Sequence, residues 1–296
     1  MSGARRIASL LPSATEIVYA LGLQDRLAAV TFECDEPVSA RSEHRVVVTG
    51  ADTSGWTPGE IDAYVRARRE EGVDLYTLDE GALADVDPDL VLTQDLCRVC
   101  ALPTDRVDEA LAHLGCSAEV LTLDPHTLEE VLVSVERVAA AVGVVDRGRA
   151  VVAGLRGRLA DVQARVAGRR RPRVAVVEWV DPLFTGGHWI PDQVAAAGGE
   201  PVGMHAGTPS GPSGWDALRA ERPEVVLVAP CGFGLDGAVE QAAVVARELP
   251  GVQVWAVDGN AVVVRPGPRL VDGVEAFASV LHPELFDRSA LVRRVQ

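Results

Sequence analysis

The sequence predicts an α/β fold of two similar lobes joined by one long helix. Three observations carry this expectation. Short apolar strands alternate with capped helices before residue 126 and again after Pro172. Between them, Asp146 opens a helical pattern that runs unbroken to Gly168, about 30 Å at 1.5 Å per residue. The two halves also echo each other. Asp87-Pro88-Asp89-Leu90-Val91-Leu92 has the rhythm of Arg222-Pro223-Glu224-Val225-Val226-Leu227, and a cysteine loop follows each, with Cys97 in the first and Cys231 in the second.

The elements follow in order. Ile7–Leu11 reads as a strand. Ser13-Ala14-Thr15-Glu16 reads as a capping box opening a helix to Leu21, stopped by Gly22. Leu27–Thr31 is a second strand. Thr57-Pro58-Gly59-Glu60 is another capping box with proline at the first helical position, and its helix to about Glu71 is charged on most sides. Leu90–Thr93 reads as a strand, Thr104–Leu114 as a helix and Glu119–Leu123 as a strand. Thr127-Leu128-Glu129-Glu130 opens a helix ending near Gly143. In the long helix that follows, Val152, Leu155, Leu159, Val162 and Val166 form one apolar stripe. Beyond Arg169-Arg170-Arg171-Pro172 come a strand at Arg173–Glu178, a helix at Ile190–Ala197 and a short helix from Ser213-Gly214-Trp215-Asp216. A strand at Val225–Val228, a helix at Leu235–Leu249, a strand at Val254–Val257 and a helix at Leu270–Leu281 complete the chain. The strands are apolar throughout, as parallel sheets covered on both faces require. The division expected is a first α/β lobe over 1–126, a helical segment over 127–168 and a second α/β lobe over 169–296.

Composition narrows the function. The net charge of −15 argues against nucleic acid and against anionic membrane surfaces. The chain has no lysine, which excludes Schiff-base chemistry and a P-loop lysine. No apolar run approaches the roughly 18 residues of a membrane span. The opening Met1-Ser2-Gly3-Ala4-Arg5-Arg6 leads directly into a strand without a signal-peptide pattern, so a cytoplasmic protein is expected unless a leader has been removed. Five cysteines without a secretion signal point to free or metal-bound thiols rather than a disulfide framework. The chain lacks a GxSxG elbow, an HExxH helix, a P-loop and GxGxxG. Binding rather than turnover is the expectation.

Ligands of open α/β sheets bind outside the carboxyl ends of the strands. The residues expected there in the first lobe are Ser13, Thr15, Cys34, Asp35, Trp56, Cys97 and Cys100. In the second they are Glu178, Trp179, His188, Trp189, Cys231 and Phe233, with Asp258 beside them. The pair Cys97 and Cys100 fits half of a zinc site, a redox pair beside a helix start, or simple packing. Cys34 and His188 could complete a Cys3His set for zinc or iron with that pair, and the three readings stay open.

Several segments resemble the cobalamin- and siderophore-binding proteins of ABC importers. They are Ser9-Leu10-Leu11-Pro12-Ser13-Ala14-Thr15-Glu16, Asp87-Pro88-Asp89-Leu90-Val91-Leu92, Gly186-Gly187-His188-Trp189-Ile190-Pro191 with Gly198-Gly199, Arg222-Pro223-Glu224-Val225-Val226, and Pro266-Gly267-Pro268-Arg269-Leu270-Val271-Asp272-Gly273. They occur in order over nearly the whole chain, and the match is closest to the cobalamin-binding branch. The resemblance implies a class III solute-binding fold: two Rossmann-like lobes, one rigid bridging helix and a ligand cleft between the lobes. It implies a monomer that captures a cobalamin-like corrinoid as ligand and requires no cofactor. Trp56, Trp179, Trp189 and Trp215 would supply apolar walls for such a flat ligand. It also implies an ABC permease partner, met through Glu80 and Asp216. Two further functions stay open: a metal-ion or metal-complex binder using Cys34, Cys97, Cys100 and His188, and a thiol-dependent enzyme on the same fold.

Overall fold

A computed structural model describes residues 6–96, 104–114 and 116–296. It divides into two compact units, one of residues 1–124 and 132–153, the other of residues 125–131 and 154–296. The boundary crosses two helices, Leu128–Ala141 and Val145–Val166.

The first unit is built on six strands: β1 (Ile7–Ser9), β2 (Leu27–Thr31), β3 (Arg45–Gly50), β4 (Tyr76–Leu78), β5 (Leu90–Thr93) and β6 (Glu119–Thr122). Their order is β4-β3-β2-β1-β5-β6, parallel except where β4 runs against β3. β1 and β5 sit inside the sheet and every residue in them is buried, which is why they read as unbroken apolar runs. The pattern missed β3 and β4, because β3 is exposed at both ends and β4 is a three-residue edge strand. The core gathers Ala8, Leu10, Val47, Leu83, Val91 and Val107.

The first helix spans Pro12–Ala20, and here the expected capping box fails. Pro12 occupies the first turn, so the helix starts ahead of Ser13, and Leu11 stands at the cap without a side-chain bond. The box expected at Thr57 forms, and the helix opened at Thr127 has one as well. Thr57 Oγ1 accepts from the Glu60 amide at 3.3 Å while Glu60 Oε2 accepts from the Thr57 amide at 2.8 Å. Thr127 Oγ1 accepts from the Glu130 amide at 3.2 Å, with the reciprocal bond also at 3.2 Å. The helix Pro58–Glu70 buries no residue, as its charge pattern demands.

The second unit holds β7 (Arg173–Val180), β8 (Leu183–Thr185), β9 (Glu200–Pro201), β10 (Gly211–Pro212), β11 (Val225–Val228), β12 (Gln253–Val257) and β13 (Val292–Arg294). The order is β10-β8-β7-β11-β12-β13, with β9 beside β7. β7, β11 and β12 are parallel and central, and their burial matches the sequence reading. β8, β10 and β13 pair antiparallel at the margins. These marginal strands have two or three residues each, too few to show a period. The helices Ile190–Ala196, Leu235–Glu248 and Leu270–Leu281 fall where the pattern puts them. In the helix Val145–Val166, Val152, Leu155 and Val162 are buried along one stripe. Among the described residues, no helix is long and apolar enough to cross a membrane.

Candidate functional site

Each unit presents a set of loops at the carboxyl ends of its parallel strands, where ligands of open α/β sheets bind. In the first unit the loops after β1 and β2 are tied together by a buried polar chain. Ser9 Oγ donates to the Leu11 carbonyl at 3.0 Å, which leaves it to accept from Thr15 Oγ1 at 2.9 Å. Thr15 Oγ1 turns the same proton toward Cys34 Sγ, 3.1 Å away, so one hydroxyl bridges Ser9 and Cys34. The Thr31 amide lies 3.4 Å from the same sulfur. Ser9, Thr15 and Cys34 are fully buried and Ser13 is 3% exposed. The structure places Ser13, Thr15 and Cys34 in the interior beneath the strand ends, with the Cys34 sulfur bonded between the two loops.

Asp35 and Trp56 are half-buried in the same unit. The Trp56 ring stands edge-on to Tyr64 at 5.5 Å, resting on the solvated helix Pro58–Glu70. Cys97 and Cys100 lie outside the described residues. The segment leading to them is fixed by a residue that sequence reasoning missed. Asp124, after β6, accepts from the amides of Asp95 and Leu96 at 2.7 and 2.9 Å. Asp95 in turn accepts from the Thr104 amide at 2.7 Å. A carboxylate two residues past a strand, facing a loop that follows the neighbouring strand, was the available signal.

In the second unit the three parallel strands end close together. The Cys231 amide, after β11, donates to the Glu178 carbonyl on β7 at 3.4 Å. The Gly232 amide donates to Asn260 Oδ1, after β12, at 2.9 Å. Asp258 caps that short turn by accepting from the Ala261 amide at 3.0 Å. On this lacing sit Trp179 and Phe233, both half-buried, with ring centroids 5.7 Å apart and planes tilted by 56°. Trp179 Nε1 donates to the Asp181 carbonyl at 3.0 Å, which holds the indole in place. The exposed Cys231 thiol and the half-buried Glu178 lie beside the pair. The result is a firmly mounted aromatic surface at the strand ends, with polar groups at its edge.

His188 and Trp189 have different places. Trp189 is 5% exposed and its Nε1 donates to the Val263 carbonyl at 2.8 Å. The structure places its ring in the core of the second unit. His188 adopts a left-handed backbone at φ 48°, with its amide donating to the Thr208 carbonyl at 2.6 Å. Its ring stacks on Trp189 and lies 5.7 Å from that of His126. Burial, and then the neighbouring His126, push the His188 imidazole below the usual histidine range. No group of three or more histidine, cysteine, aspartate or glutamate side chains converges on a metal-sized point among the described residues.

Sequence reasoning also missed Gln193. It is fully buried, and its Nε2 donates to the Val262 and Leu270 carbonyls at 3.0 and 2.9 Å. This ties the Gly186–Pro191 motif to the start of the last helix. A Cβ on Gly273 would lie 2.6 Å from Gln193 Nε2 and would also strike the Val262 carbonyl oxygen, so glycine is needed at that close approach.

Comparison with known proteins gives this arrangement its setting. Residues 7–249 match the family described as periplasmic binding protein. An ABC transporter substrate-binding lipoprotein of Bacillus subtilis, YvrC, is 26% identical over 95% of this chain and 81% of its own length. A vitamin B12-binding protein of Vibrio cholerae is 25% identical over 94% of this chain and 89% of its own. A periplasmic heme-binding protein from Pseudomonas aeruginosa shares the fold at a TM-score of 0.71 and 20% identity, over 99% of this chain and 98% of that one. These findings overturn the cytoplasmic expectation drawn from the first residues, because the matched family works outside the cytoplasm. With two α/β units, strand-end loops and a family match over most of its length, the chain belongs to the periplasmic binding protein family.

Proposed function

We propose that this protein captures a flat tetrapyrrole, a corrinoid of the cobalamin type, for delivery to an ABC permease. The observation that carries the reading is the Trp179–Phe233 pair, two half-buried rings mounted at the strand ends of β7 and β11. A macrocycle offers a broad apolar face with polar substituents at its rim. Half-buried aromatic rings with adjacent polar groups suit both parts. Similarity to vitamin B12-binding proteins over 94% of the chain supports the corrinoid as the first ligand to test. The similarity to an ABC transporter substrate-binding lipoprotein supports the permease. Glu80 and Asp216 suit that contact, since each is exposed in the first turn of a short helix, one in each unit.

The experiment is a titration of purified protein with cyanocobalamin, followed by its visible absorption bands and by calorimetry, with hemin as a parallel ligand. Saturable 1:1 binding of cobalamin at micromolar concentration or tighter, weakened at least about tenfold by Trp179→Ala, is the expected result. Saturable binding of hemin alone keeps the tetrapyrrole class and overturns the corrinoid. Heat and spectra unchanged by either ligand overturn the whole reading.

A further inference from the structure

Three observations meet at His188, in the second unit. Its backbone is left-handed at φ 48°, a conformation that strains residues other than glycine and gathers at functional sites. Its Nε2 is shielded from solvent and has no hydrogen-bond partner among the described residues. Buried polar atoms are ordinarily paired, so an orphan of this kind points to a ligand, an ion or a water. The third observation is the neighbour. The His126 ring stands beside it, with centroids 5.7 Å apart and planes tilted by 44°.

This spacing suits a metal ion between two imidazoles. At a metal–nitrogen bond of about 2.0–2.1 Å the ion lies about 3.2 Å from each ring centre. Two such rings stand about 5.2 Å apart at a tetrahedral angle and about 6.4 Å apart in line. The observed 5.7 Å falls between these limits. Both rings are also held in place. The His188 amide donates to the Thr208 carbonyl at 2.6 Å, its carbonyl accepts from the Gly207 amide at 3.0 Å, and its ring stacks on buried Trp189. The His126 amide donates to Glu130 Oε2 at 2.6 Å, and the Leu128 amide donates to Asp192 Oδ2 at 3.0 Å. The latter bond ties the His126 turn to the helix Ile190–Ala196, which begins two residues after His188. Burial, and then His126, keep the His188 ring neutral at pH 7, the form in which imidazole binds metals. His126 is exposed and gives an ion a route from solvent.

We propose that His126 and His188 form a two-imidazole site for a divalent late transition-metal ion such as Zn²⁺, its remaining positions open to water or to an incoming donor. Imidazole nitrogen selects zinc, copper and nickel over magnesium and calcium. Two protein ligands fall short of the four in a closed structural centre, so the ion is exchangeable. The site lies within the second unit and does not rest on the tetrapyrrole reading.

Long-range ¹H–¹⁵N spectra of the labelled full chain, recorded as Zn²⁺ alone is added, read each imidazole separately. Nitrogens of His126 and His188 should shift together, at the same Zn²⁺ concentration. His126→Gln should weaken the His188 response about 100-fold or more, since a second ligand held in place supplies the chelate gain. His188→Gln should do the same to His126. The exposed His126 can be replaced without disturbing the core, and an unchanged Tm checks this. Rings that respond at different concentrations, a His188 response that survives His126→Gln undiminished, or Zn²⁺ taken up elsewhere while both rings stay still overturns the site. So does silence of both rings at millimolar Zn²⁺.

Discussion

Replacing Gln193 with leucine tests how the second unit is held together. The side chain is fully buried and its amide group donates to two carbonyls, Val262 and Leu270. Leucine fills nearly the same volume but leaves the Val262 carbonyl without a donor, while the Leu270 carbonyl loses one of two bonds and keeps its partner inside the last helix. Each buried acceptor left unsatisfied costs about 1–3 kcal/mol. Gln193 Oε1 has no partner among the described residues, and losing it returns about 1–2 kcal/mol. Together with the lost Leu270 bond, the net loss is about 1–2 kcal/mol, which lowers the Tm of a unit of this size by roughly 3–6 °C. Tryptophan fluorescence is the assay. Trp179, Trp189, Trp215 and Trp255 all lie in the second unit, so the signal reports mainly its melting. Gln241→Leu is the matched comparison. Gln241 is also buried, but neither atom of its amide has a partner among the described residues, and it faces the same apolar cluster as Ala238, Ala242 and Val245. The same substitution there should raise Tm by a few degrees, since an orphaned polar group is exchanged for an apolar one. If Gln193→Leu melts within 1 °C of wild type, or if both variants shift in the same direction, the hydrogen-bond argument is wrong.

Three further outcomes follow from named contacts. His188 has its imidazole pKa lowered by burial and then by His126, so the unfolded chain takes up the proton first. Its stabilising contribution is complete above the unfolded value near 6.5 and is lost as pH falls from there toward the folded value. His188→Gln should therefore flatten the fall of Tm between pH 7 and pH 5, and an unchanged slope would exclude His188 as its source. Thr57→Ala removes the capping box of a helix that buries nothing, costing about 1 kcal/mol locally. Its amides near Glu60 should exchange faster while the midpoint of global unfolding stays put. Thr15→Val removes the buried hydroxyl that donates to Ser9 Oγ and toward Cys34 Sγ, so the first unit should lose about 1–2 kcal/mol in urea unfolding. A loss below 0.5 kcal/mol would show that the Ser9–Thr15–Cys34 chain is not a stabilising link.

Much of the architecture was legible from residues alone because its causes are local. The apolar runs at Leu90–Thr93 and Val225–Val228 mark strands buried on both faces, and both are central in their sheets. The boxes at Thr57 and Thr127 complete themselves within four residues. The box expected at Ser13 failed because one residue, Pro12, moved the helix start. The short strands β4, β8, β10 and β13 were invisible because their pairing comes from a partner strand rather than from their own pattern.

The candidate site divides along the same line. That Trp179 and Cys231 lie at strand ends follows from the order of strands and turns. Which strand-end residues face solvent does not follow from it. Trp179 and Trp189 look alike in sequence, each beside a loop, yet one presents a half-buried ring and the other donates to Val263 from inside the core. Thr15 and Cys34 are both near strand ends, but their hydrogen bonds turn inward. The sequence by itself determined two α/β halves, the long helix between them, an acidic surface without lysine and the family resemblance. Only the tertiary structure decided which side chains are spent on packing and which remain available. Those outcomes depend on partners far along the chain, such as Val262 and Leu270 for Gln193, 69 and 77 residues away. No local pattern encodes a hydrogen bond to a carbonyl that only folding brings near.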